Sequence, residues 1–146
     1  MSVPSDPLSR LPHGPAFRFL SRAVTIEPGA RGEAVWRVDG SEAFFAAHFP
    51  GDPLVPGVLL CEAMAQLSGL VGVQSPGGCG RLAHTDVRFD RPIRPPADIQ
   101  ICSTLSRRFG SLSQYDVEAR VRGERCARGT VTLSEAAAGP RTDALT

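Results

Sequence analysis

The sequence predicts an α+β domain, a mostly antiparallel sheet curled around one long buried helix. Three observations carry this. The chain has 146 residues, the size of one domain. Val58 to Val73 reads as a helix that is apolar almost all round, and a helix without a wide polar face is a buried one. Two strand-like segments precede it and four follow with short connections. One helix cannot cover both faces of a parallel sheet, so the strands should pair mostly antiparallel. An open edge of such a sheet is a liability that pairing with a second copy removes.

Residues 1–10 and 136–146 are rich in Ser, Pro, Ala and Gly and read as loose ends around a domain over 11–135. Phe17 to Ile26 reads as the first strand, closed by the turn Glu27-Pro28-Gly29. Arg31 to Val38 alternates well enough for a second. Ser41 is a candidate cap for a short helical turn through Phe45 and Ala47. His48 to Gly57, with three Pro and two Gly, is too broken for regular structure. The helix follows, then the loop Ser75 to Gly80. The remaining strands are expected over 82–89, 99–109, 112–122 and 125–134. In the third of these Val117, Ala119 and Val121 alternate with Glu118, Arg120 and Arg122, so one face is wet. Gly123 with Glu124 should make the tight turn into the last strand.

Composition excludes several chemistries. All 16 cationic side chains are Arg, and there is no Lys. A Schiff-base lysine and a Walker-type phosphate loop are therefore out. A net charge of +1 gives no case for nucleic acid. Cys61, Cys79, Cys102 and Cys126, with His13, His48 and His84, show no metal-ligand spacing, so no metal is expected. They read as free thiols in a reducing compartment. The N-terminus lacks a basic start followed by an apolar run, and the apolar stretch past Gly57 is short for a bilayer. No membrane span is expected, and the location expected is cytoplasmic.

Glu62 is the one charged residue of the helix. Among Val58, Leu59, Leu60, Cys61, Ala63, Met64 and Leu67 its charge is costly, and burial should raise its pKa, which suits a general acid. Gln66 lies one turn on, on the same face, within reach of it. His48 supplies a base, and the Gly57 N–H at the helix start supplies an oxyanion-type donor. Bland readings stand beside these. A lone Glu in an apolar helix also fits a side chain reaching a surface gap or an interfacial Arg. A His before Phe-Pro also fits a structural role, and Pro50, Pro53 and Pro56 fit the shaping of a turn. Spacing alone does not decide between them.

The run His48-Phe49-Pro50-Gly51-Asp52-Pro53-Leu54-Val55-Pro56-Gly57-Val58-Leu59-Leu60-Cys61-Glu62-Ala63-Met64-Ala65-Gln66 resembles the signature HFPGxPxxPGVLxxEAMAQ of the FabZ-type (3R)-hydroxyacyl-[acyl carrier protein] dehydratases, at every fixed position. Leu11-Pro12-His13 with Phe17 and Arg22, and Val87 to Ile93, are similar to two further family segments. The resemblance implies a hot-dog fold. It implies a homodimer with two shared active sites, often assembled into a trimer of dimers. His48 of one subunit would remove the α-proton of the hydroxyacyl thioester, and Glu62 of the other would protonate the departing hydroxyl. The Gly57 N–H would polarise the thioester carbonyl, with Phe49, Pro50, Val58 and Gln66 in support. No cofactor is implied beyond the phosphopantetheine of an acyl carrier protein, and the acyl chain would run in a tunnel along the helix. Carrier docking would fall to Arg88, Arg91, Arg94, Arg107 and Arg108, unless these are simply solvated strand-face charges.

Departures are Ser21, where the family usually has Asp, and a rebuilt turn over Arg91 to Asp98. Gly51-Asp52-Pro53 also occurs in the FabA-type dehydratase/isomerases. That branch carries Asp at the position of Glu62 and an aromatic at that of Ala65, so this sequence sides with the dehydratases. Two alternatives remain from the sequence: a dehydratase of a polyketide or aryl-polyene pathway, and a catalytically silent hot-dog subunit that binds acyl carriers.

Overall fold

The computed structural model describes residues 6–72 and 79–136. Six strands form one antiparallel sheet: β1 (Arg22–Glu27), β2 (Arg31–Val38), β3 (Cys79–Phe89), β4 (Ala97–Phe109), β5 (Leu112–Val121) and β6 (Glu124–Ala136). Their order across the sheet is β1-β2-β4-β5-β6-β3. The helix α1 (Gly57–Gly72) lies in the concave face, mainly against β4 and β2. The expected α+β architecture is the observed one.

Period-two burial builds the sheet's inner face. Along β4, Ala97, Ile99, Ile101 and Ser103 are buried, while Asp98, Gln100 and Thr104 are exposed. Ala34, Trp36 and Val38 of β2, Tyr115, Val117 and Ala119 of β5, and Val131 and Leu133 of β6 join them. The helix answers with Ala63, Met64, Leu67, Leu70 and Val71. Ser103 is the polar exception, and its hydroxyl meets that of Ser68 at 2.7 Å inside the core. Ser68 in turn donates to the Met64 carbonyl at 2.8 Å, so the buried pair is satisfied. Gly32 lets the helix come close, since a Cβ there would stand 2.8 Å from Val71 Cγ2.

Several boundaries differ from the sequence expectation. The first strand starts at Arg22, not Phe17. Pro15–Phe17 is a short 3₁₀ turn, and the chain to Leu20 is held by α1 instead of a strand neighbour. The expected loose end does not reach Arg10. Pro7–Arg10 forms a 3₁₀ turn capped by Asp6, and Leu8 is buried in the core. Ser41 is no cap; its hydroxyl donates to Asp39 at 2.6 Å, and the turn Ala43–Ala46 follows Glu42. The β5–β6 turn is centred on Arg122 and Gly123, both at positive φ (53° and 77°), the arrangement that matches strand twist in a two-residue hairpin. The end of the expected helix at Val73, most of the Ser75–Gly80 loop, and residues 1–5 and 137–146 lie outside the described residues.

The two edges of the sheet are unlike. β1 has six residues and packs near the N-terminal 3₁₀ turn. β3 has eleven, pairs among the described residues only with β6, and from Arg81 to Phe89 every residue except Val87 is exposed. Leu82 and Phe89 on it, Phe49 in the loop before α1, and Val58 of α1 (77% exposed) are large apolar side chains left in solvent. The helix therefore keeps one uncovered flank. Among the described residues no helix is long and apolar enough to cross a membrane.

Candidate active site

His48 stands in a loop closed by backbone. The Phe49 N–H donates to the Asp52 carbonyl and the Asp52 N–H to that of Phe49, both at 2.9 Å. The Leu54 N–H donates to the His48 carbonyl at 2.9 Å. The Leu54 carbonyl lies 2.9 Å from His48 Nδ1. A carbonyl can only accept, so Nδ1 carries a hydrogen, and in the neutral ring the lone pair is on Nε2. The Phe49 ring stacks on the imidazole with centroids 4.1 Å apart. Pro50 is exposed. The loop is pinned to the rebuilt 91–98 segment, where Val55 N–H donates to the Ile93 carbonyl at 2.9 Å and Arg94 meets Asp52 at 3.3 Å.

Gly57 opens the helix, so its N–H is one of the four that no helical carbonyl accepts. The Phe89 ring lies against its Cα; a Cβ there would stand 3.0 Å from Phe89 Cζ. A cleft beside it is lined by Val55, Gly57, Leu60, Phe89 and Ile93. Glycine at this position keeps that space open.

Glu62 sits differently from the sequence expectation. Its side chain is 21% exposed and meets two polar side chains at the head of an apolar slot. Gln66 Nε2 donates to Oε1 at 3.3 Å. Gln66 itself is buried; it donates to the Phe17 carbonyl at 2.8 Å and accepts from the Phe19 N–H at 3.0 Å. That clamp replaces the strand pairing expected for Phe17–Leu20. The sequence reading gave His13 no role, yet its Nε2 lies 3.3 Å from Glu62 Oε1. The residue had been visible only within the Leu11-Pro12-His13 resemblance. A narrow slot lined by His13, Glu62, Ala65, Gly69, Leu82 and Leu133 runs from this carboxylate along the helix.

Within one chain, the Glu62 slot and the Gly57 cleft are separate, and neither is lined by His48. The arginines also divide. Arg91 and Arg94 line a broad cleft next to Pro92 and Ile93, together with Arg22, Arg37 and Arg122, which were not among the arginines expected to dock a carrier. Arg107 and Arg108 lie at the far end of β4, the first over the Phe109 ring and the second donating to the Gly72 carbonyl. Arg88 lines a different surface hollow with Asp86 and Arg128. The five expected arginines therefore do not make one patch.

A FabA-like domain family matches residues 11–130. A 3-hydroxyacyl-[acyl-carrier-protein] dehydratase FabZ of Herpetosiphon aurantiacus is 33% identical over 133 residues, covering 88% of this chain and 94% of that protein. Among solved structures, the dehydratase heterocomplex ApeI:P of Xenorhabdus doucetiae superposes with a TM-score of 0.75 over 92% of this chain and 93% of that one, at 17% identity. A hot-dog-like protein of Thermanaerovibrio acidaminovorans does so at 0.64, over 77% and 84%, with 16% identity. At such identities the structures speak for the fold, which is the hot-dog fold, and the sequence relative speaks for the family. The chain belongs to the FabA-like family and, within it, to the FabZ-type 3-hydroxyacyl-[acyl-carrier-protein] dehydratases.

Proposed function

We propose that the chain removes water from (3R)-hydroxyacyl thioesters carried on an acyl carrier protein, giving the trans-2-enoyl thioester for acyl-chain synthesis, with His48 as base and Glu62 as acid. The observation that carries these roles is the pinned imidazole. With Nδ1–H held by the Leu54 carbonyl, His48 presents a lone pair on Nε2 and nothing else.

The steps balance without a redox or metal partner. His48 Nε2 takes the proton from C2. The C2–H pair moves toward the thioester carbonyl, and the Gly57 N–H donates a hydrogen bond to its developing oxyanion. The enolate pair then forms the C2–C3 double bond, the C3–O bond breaks, and Glu62 gives its proton to the leaving oxygen. Water departs, and a proton returns from His48 to Glu62 through solvent. The phosphopantetheine of the carrier is the only prosthetic group in this scheme, and it arrives with the substrate. A fatty tail suits the narrow apolar slot beyond Glu62.

In this reading the site is shared between two subunits, so His48 of one faces Glu62 of the other. Support comes from the bare β3 edge and the exposed Val58 and Phe49, surfaces that a second copy would cover. Further assembly into a trimer of dimers belongs to the same reading, as does work in the cytoplasm. The carrier, an acidic partner, would approach the cleft of Arg22, Arg91, Arg94 and Arg122, which adjoins the Gly57 side through Pro92 and Ile93.

Mixing two dead variants tests roles and sharing together. His48→Ala and Glu62→Gln should each lose about a thousandfold in kcat. Refolded together in equal amounts, half the dimers are mixed and each restores one intact site. About a quarter of wild-type activity should return. No recovery places both groups in one chain, and near-native turnover by either variant alone removes the assigned roles.

A further inference from the structure

We infer that His13 is a positioning residue for the acid: with Gln66 it donates to Oε1 of Glu62, and so reserves Oε2 for the proton that the reaction transfers. The inference rests on the dehydratase reading above and deepens it at the acid.

Gln66 cannot be turned round. Its carbonyl oxygen accepts from the Phe19 N–H at 3.0 Å and its amide nitrogen donates to the Phe17 carbonyl at 2.8 Å. A flipped amide would set N–H against N–H and oxygen against oxygen. The nitrogen that faces Glu62 Oε1 at 3.3 Å is therefore a donor. His13 Nε2 reaches the same oxygen at 3.3 Å. The other ring nitrogen, Nδ1, is buried without a hydrogen-bond partner among the described residues. A hydrogen on it would be a buried donor with no acceptor, the costlier way to leave that atom. The hydrogen belongs on Nε2, the ring nitrogen 3.3 Å from Glu62 Oε1.

Two N–H groups converging on one carboxyl oxygen leave it no room for a proton of its own. When Glu62 is the acid, its hydrogen sits on Oε2. Once that proton has gone to the leaving hydroxyl oxygen, the new carboxylate already has two donors on Oε1 and needs no rearrangement. The ring is itself fixed for this task. Arg18 Nε donates to the His13 carbonyl at 2.9 Å, Pro12 stiffens the preceding residue, and the Phe17 ring stacks on the imidazole with centroids 6.3 Å apart. The 3₁₀ turn Pro15–Phe17 thus serves both donors, one through its ring and one through its carbonyl.

The test compares His13→Phe, which keeps the ring volume and removes the donor, with His13→Gln, whose amide nitrogen reaches where Nε2 stood. Rates are measured on a hydroxyacyl thioester, with thermal unfolding and dimer content recorded for each variant. His13→Phe should lose about tenfold or more in kcat while KM changes by less than about threefold. His13→Gln should regain most of that loss. In a Glu62→Gln background, adding His13→Phe should cost nothing further, because the carboxyl it positions is gone. The inference is overturned if His13→Phe turns over like wild type, if it loses only KM, or if His13→Gln is as slow as His13→Phe at equal stability. It is overturned equally if the double variant shows the two losses multiplied. Failure of the dehydratase reading looks different: then wild type itself gives no enoyl product, or Glu62→Gln is active.

Discussion

His48 and Glu62 are held by opposite means. The imidazole stands on a loop of Pro and Gly whose bonds run backbone to backbone, and even its ring is oriented by a main-chain carbonyl. The carboxylate stands on a regular helix and is oriented by two other side chains, Gln66 and His13. Backbone bonds survive most substitutions, so the His48 half depends on conformation: the prolines, Gly51 at φ 76°, and Gly57 against Phe89. The Glu62 half depends on particular polar atoms. The first half should be broken by changes of shape and the second by changes of donor.

The largest expected effect falls where the two halves would have to meet. Val58 is 77% exposed one residue into the helix, beside the loop of the base and on the flank that carries the acid. If a second copy covers it, Val58→Asp buries an unpaired charge at a cost of about 3–5 kcal/mol. Sedimentation should show a folded monomer, and activity should fall about a hundredfold or more at nanomolar protein. A fully active monomer would mean that each chain holds a complete site and that the contrast drawn above lies within one subunit.

Gln66→Ala comes next and separates the halves. It strips partners from the Phe17 carbonyl, the Phe19 N–H and Glu62 at once. Leaving such buried groups unpaired should cost about 2–5 kcal/mol of stability, read from denaturant midpoints. Activity should fall as well. The Leu54–His48 bond lies outside this network, so the chemical shift of the His48 Nδ1–H should stay put.

Gly57→Ala probes the other half and is milder. The new methyl meets the Phe89 ring at 3.0–3.4 Å, and that ring, half exposed on the sheet edge, has room to turn. A destabilisation of about 1 kcal/mol is expected. The N–H survives the change, yet the methyl narrows the cleft where the thioester should lie. KM should therefore rise more than kcat falls, and an unchanged KM would mean that substrate does not pass Gly57.

These contrasts follow what the sequence could and could not show. The strand periods of β4 and β5, the apolar helix and the Pro-Gly loop are local patterns, and each of them was legible. So were His48, Gly57, Glu62 and Gln66, because a contiguous signature holds all four. His13 was not, since it lies 49 positions before Glu62 and neither residue's neighbours hint at the contact. Phe17–Leu20 looked like strand because it is rich in aromatic and apolar residues; the Gln66 clamp, a tertiary bond, overrides it. The contact of His13 with Glu62 escaped the sequence for the same reason. A helical wheel lists what flanks a residue on its own helix, not the turn that packs across it. The scatter of the arginines is likewise a matter of strand order, as β3 and β4 are consecutive in sequence but lie at separate places in the sheet.

The smallest effect reports on the shared flank without touching the chemistry. Burial pushes the thiols of Cys61, Cys102 and Cys126 up, and for Cys61 a hydrogen bond with Thr85 of β3 opposes that only in part. Alkylation needs the thiolate. All three should therefore react more slowly with iodoacetamide at pH 8 than a free peptide thiol, and the rates should climb only as the pH passes the ordinary thiol range. Cys61 lies next to Glu62 on α1, on the side toward the bare edge strand, whereas Cys102 sits on the outer face of β4 and Cys126 at the start of β6. If a second copy covers that flank, Cys61 alkylation should quicken in the Val58→Asp monomer while Cys102 and Cys126 keep their rates, resolved peptide by peptide in mass spectrometry. Equal acceleration at all three would signal general loosening of the fold, and no change at Cys61 would leave the helix flank open in both forms, against a shared site.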